Sequence, residues 1–126
     1  MTSSKPSIPD ESPRLAEPVL AFDLSAEAAL LREGSPWELR GHNAKTLVKH
    51  PDLRLVLIVL RAGAEIQRHQ TDHRISVQTV AGHVRLNLPE QVVDLPAGSV
   101  LVLDHSIPHD VVAEQDSTVL LTMSIA

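Results

Sequence analysis

Seven histidines and no cysteine define the chemistry open to this chain. Thiolate ligation, disulfides and a cysteine nucleophile are excluded, which leaves imidazole as the most versatile group. A neutral imidazole ligates divalent metals, takes up a proton near neutrality and hydrogen-bonds polar ligands. Four of the seven fall in two short stretches: His69 and His73 in HQTDHR, and His105 and His109 in DHSIPH. If the first stretch runs extended, His69, Thr71, His73, Ile75 and Val77 point to one side. His109 arrives from another strand behind Pro108, whose ring fixes the local backbone. Three or four imidazoles then converge, and Asp72 or Asp104 could complete a His-His-carboxylate set of the kind that suits ferrous iron. Arg68, next to His69, is a candidate partner for a carboxylate substrate. His42, His50 and His83 lie in a loop, an HPD turn and a polar strand face, and are read as surface residues.

The segments that must position these groups are short and aliphatic. From Trp37 onward, runs rich in Val, Leu and Ile alternate with turn residues: 45–49, 53–61, 75–80, 84–88, 91–95, 99–103, 109–113 and 118–125. In the run at 84–88, Val84, Leu86 and Leu88 share one face while His83, Arg85 and Asn87 share the other, so that strand is half buried. The runs at 53–60 and 119–125 are apolar on both faces, so one face fills an interior and the other needs a covering layer, most economically a second subunit. Ser25 is read as the N-cap of one short helix over AEAALLREG, closed by Gly34. Residues 1–18 carry four prolines among serines and charges and are read as an N-terminal arm, flexible or packed on a partner. Gly63, Gly82 and Gly98 are placed in tight turns that need positive φ or close packing.

Two spacings tie the histidines to a family. Gly63 to Gly82 reads GAEIQRHQTDHRISVQTVAG, and Gly98 to His109 reads GSVLVLDHSIPH. Together they resemble the two cupin motifs, with His69 and His109 at histidine positions, Thr71 and Ile75 where the first motif has its second histidine and its glutamate, and Asp104 and Ser106 where the second has proline and glycine. The resemblance spans roughly residues 53 to 125. It implies an all-β fold, an antiparallel jelly-roll barrel, in a domain over 19–126. It also implies a divalent metal (Fe, Mn, Ni or Zn) held by His69 and His109, with His73 or His105 added, or else a metal-free pocket in which His69, His109 and Arg68 bind a small organic ligand. Dimers are common in the family, so a homodimer is expected.

With 126 residues the chain is long enough for one core. Sixteen acidic against eleven basic residues give a net charge of −5, and Phe22 and Trp37 are the only aromatic residues apart from histidine. Nucleic acid is therefore not an expected partner, since it demands a basic face or stacking platforms. No apolar run reaches the length of a membrane span, and a cytoplasmic protein is expected. There is no Gly-x-Ser-x-Gly elbow, phosphate-binding glycine loop or HExxH helix. Three functions follow: a small-molecule binding protein, a metal-dependent oxygenase or isomerase, and a structural or regulatory dimer whose interior is filled.

Overall fold

The computed structural model describes residues 17–69 and 71–125. The side chains of Arg68 and His69, and the expected arm up to residue 16, lie outside the described residues. Two helices, α1 (Leu24–Leu31) and α2 (Ser35–Arg40), precede nine strands: β1 (His42–His50), β2 (Leu53–Leu60), β3 (Glu65–His69), β4 (Arg74–Ala81), β5 (His83–Asn87), β6 (Val92–Pro96), β7 (Val100–Leu103), β8 (His109–Ala113) and β9 (Ser117–Ser124). They form a five-stranded sheet in the order β1-β2-β9-β4-β7 and a four-stranded sheet in the order β3-β8-β5-β6. Every pairing is antiparallel. The sheets face each other as a jelly roll, the fold class expected from sequence. No helix of the described residues is long and apolar enough to cross a membrane.

Gly82 is where the chain passes from one sheet to the other. It alone separates β4 from β5, at φ 86°. A Cβ there would lie 2.3 Å from the Asp116 carbonyl oxygen, so only glycine fits. The fully buried Ser117 fastens the same corner, accepting from the His83 N–H at 3.0 Å. Gly63 and Gly98 also take positive φ, as expected of turn glycines.

Two apolar cores share the large sheet. The inner one, between the sheets, gathers Leu60, Ile75, Val77, Val84, Leu86, Leu95, Leu103, Ala113 and Val119. The outer one packs Leu47, Val48, Leu57 and Val59 against Ala28 of α1, with Leu20, Phe22, Leu24, Leu31 and Trp37 around it. The covering layer that β2 needs on its outward face thus comes from the chain's own N-terminal segment rather than from a second subunit. Arg32 and Arg61 flank the Trp37 ring at 5.5 and 5.0 Å, and the Asn43 amide donates to the Leu31 carbonyl at 3.0 Å.

The helical region departs from expectation in two places. Asp23, not Ser25, is the N-cap of α1, its carboxylate accepting from the Ala26 N–H at 3.1 Å. Gly34 does not close α1 but caps the start of α2, with Pro36 in its first turn and Gly41 in the left-handed conformation at its end.

Candidate functional site

Between the sheets lies a cavity of about 200 Å³. Seven aliphatic side chains line it: Ile58 and Leu60 from β2, Ile66 from β3, Val77 from β4, Val111 from β8, and Val119 and Leu121 from β9. Its polar lining is Gln67, His109 and Asp110. The alternation of β2 and β9 explains the wall, since Ile58 stands opposite Val119 and both face inward, while Leu57 and Leu120 turn to the helices.

His109 opens β8 and is 7% exposed. Its Nδ1 lies 3.0 Å from the Ile107 carbonyl oxygen. A carbonyl only accepts, so in the neutral ring Nδ1 carries the proton and Nε2 is the acceptor nitrogen. β3 pairs with β8 so that His69 is the direct cross-strand partner of His109, with an irregularity in register between Ile66 and His69. Asp110 accepts from the Asn87 amide at 2.6 Å.

The structure brings the positions of His69 and His109 together and sets His73 and His105 elsewhere. The extended run assumed from His69 to Val77 is broken: β3 ends at His69, residues 72–73 form a bend, and β4 begins in the other sheet. Ile75 and Val77 face the interior, whereas the half-buried His73 does not line the cavity. His105 is exposed, with Nδ1 3.0 Å from the Asp104 carboxylate. Asp104 also accepts from the His105 N–H at 2.9 Å and pairs with Arg74 at 2.9 Å. These contacts, the His105 N–H first and the Arg74 guanidinium second, hold the Asp104 carboxyl below its ordinary pKa. Ser106 donates its N–H to the Thr71 carbonyl at 2.8 Å and its hydroxyl to Asp72 at 3.2 Å. Asp72 and Asp104 therefore bind the two motif loops to each other.

A catalytic divalent ion needs three or more protein ligands. Among the described residues no three of His, Asp or Glu gather in a way that could hold one. Ile75, 3% exposed, puts a hydrocarbon where the motif has its carboxylate. The described side chains do not make a metal centre. Gln67 and Asp110 escaped the sequence reading, Gln67 because nothing marked 65–69 as a strand, and Asp110 because its neighbour His109 drew the assignment.

No sequence-family model matches the chain, and no curated protein does. Solved structures do. KdgF from Halomonas sp. is 30% identical with a TM-score of 0.63, over 68% of this chain and 82% of that one. An RmlC-like cupin from Shewanella frigidimarina is 24% identical with a TM-score of 0.64, over 69% and 78%. Salicylate 1,2-dioxygenase from Pseudoaminobacter salicylatoxidans, solved as adducts with gentisate, reaches a TM-score of 0.75 at 21% identity, and this chain spans 34% of it. With 30% identity to KdgF over two thirds or more of each chain, and RmlC-like cupins among the structures that share its paired sheets, the chain belongs to the cupin superfamily.

Proposed function

We propose that this cupin binds a compact, largely apolar organic molecule in the barrel, with His109 orienting its polar end and His69 and Arg68 as further ligand contacts. The observation that carries this is the cavity of about 200 Å³, walled by seven aliphatic side chains around one buried imidazole. An apolar cavity of about 150 Å³ is already large enough for benzene. A purely structural module would have a filled interior. Titration with 2-phenylethanol, followed by amide NMR shifts, tests the reading. Shifts should map to β2, β8 and β9 and vanish in Leu121→Trp, which fills the cavity; shifts that persist there would refute it.

The metal-dependent enzyme remains the second reading, favoured by one observation: His69 and His109 are cross-strand partners. It requires about one iron, manganese, nickel or zinc per chain after anaerobic reconstitution, lost in the His69→Ala, His109→Ala double variant. A homodimer belongs to the proposal too, on the ground that Val100 and Val102 on β7, an edge strand, are 60% and 61% exposed.

A further inference from the structure

The last rung of the β5-β8 ladder pairs Asn87 with Asp110. Directly opposed residues of an antiparallel pair share a face. Their neighbours Leu86 and Val111 belong to the inner core, so Asn87 and Asp110 point outward, and the Asn87 amide donates to Asp110 Oδ1 at 2.6 Å. β5 ends at this rung. Beyond it a separate pocket of about 170 Å³ opens at the rim, with Leu88 and Pro89 on one side, Pro108 and His109 on the other, and Asn87 and Asp110 completing the lining. Asp110 borders the interior cavity as well, but its carboxylate is turned to Asn87 on the outer face.

The donors around this pocket are committed, and acceptors are left over. The Nδ1–H of His109 goes to the Ile107 carbonyl and the Leu88 N–H to the Gln91 carbonyl, while Pro89 and Pro108 have no N–H to give. A carboxylate only accepts, so the nitrogen of the Asn87 amide is the atom that faces Asp110, and the Asn87 carbonyl oxygen and the second Asp110 oxygen remain as acceptors. On the same outer face Glu114 pairs with Arg85 and Asp94 with His83, but among the described residues no cation pairs with the half-buried Asp110. One carboxylate and one amide oxygen are too few to hold a divalent ion. A primary ammonium asks for less: acceptors along its N–H bonds and one negative charge, which gains more from a partly buried pair than from an open surface.

We propose that this rim pocket is a binding site for the primary ammonium group of a small aliphatic amine, held by Asp110 and the Asn87 carbonyl, with the carbon chain against Leu88, Pro89 and Pro108. The site is distinct from the interior cavity and does not depend on what occupies it. His109 lines both and stands as the wall between them.

The test compares n-propylamine with 1-propanol, nearly the same shape without the charge, titrated into the full chain at neutral pH and followed by the Asn87 side-chain amide resonances in 1H–15N spectra. The amine should bind at least about tenfold more tightly, as expected for a hydrogen-bonded charge pair, and only the amine should move the Asn87 signals. Asp110→Asn, which keeps the shape and removes the charge, should abolish the preference. Leu121→Trp, which fills the interior cavity, should leave it intact, so this site and the cavity reading above fail separately. Equal binding of the two probes, unmoved Asn87 signals at saturation, or a preference that survives Asp110→Asn overturns the assignment. A preference lost in Leu121→Trp puts the amine in the interior and overturns it too. The Asn87 signals are read on the unaltered protein, so the test holds even if Asp110→Asn does not fold.

Discussion

Ser106 is the one described non-glycine residue with positive φ, at 62°. It occupies the position at which the second motif has glycine, and the backbone keeps the glycine conformation with a side chain added. The left-handed region disfavours an L side chain, and the Ser106 hydroxyl returns only an exposed bond to Asp72. Ser106→Gly should therefore raise stability by about 0.5–1 kcal/mol in denaturant melts, relief of strain outweighing the extra freedom of the unfolded chain. Beside it, Asp104 is held ionised by the His105 N–H and Arg74. A carboxyl with a depressed folded pKa contributes stability above its unfolded pKa and loses it as pH falls through the folded value. That contribution is thus present at neutral pH and disappears below about pH 4. A carbon-13 titration of the Asp104 carboxyl should show its midpoint below that of an unstructured peptide, and Arg74→Met should move it upward.

At the scale of elements, the two helices hold the lesson on caps. Asp23→Ala should cost about 1 kcal/mol, while Ser25→Ala, with the hydroxyl outside the cap, should change stability little; thermal melts of the pair decide it. The sequence contained both candidates two residues apart, and periodicity in eight residues is too short to choose between them. The same limit hid α2, six residues with a proline and a tryptophan, and β3, whose EIQRH has one aliphatic residue and no β-branched run. The strands rich in Val, Leu and Ile were legible because burial demands those residues, and their turns because Gly63, Gly82 and Gly98 need positive φ. For the site, His69 and His109 were legible as a pair through the motif spacing. His73 and His105 were not separable from them, since parity holds only while a chain stays extended, and the bend at 72–73 ends it.

At the scale of the molecule, the open surface differs from the one the sequence suggested. The outward face of β2 is already covered by α1 and Phe22, and the exposed aliphatic positions include Val100 and Val102 on β7 and Val92 on β6, the edge of the smaller sheet, besides Val19, Leu30 and Leu39 of the N-terminal segment and Leu53 at the start of β2. A homodimer through β7 should dissociate in Val100→Lys, Val102→Lys, as read by sedimentation equilibrium, with the cavity unaffected. A wild type that is monomeric at all concentrations would remove the dimer from the proposal.

β2 has a further consequence. Ile58 and Leu60 belong to the inner core, and Leu57 and Val59 to the outer one, so a single strand serves as a partition wall between two rooms. Neither room can lose that wall and stand, which makes the helices and the barrel one cooperative unit rather than a domain with an appendage. An occupant of the inner room braces the wall from one side, and α1, which never touches it, is held more firmly from the other.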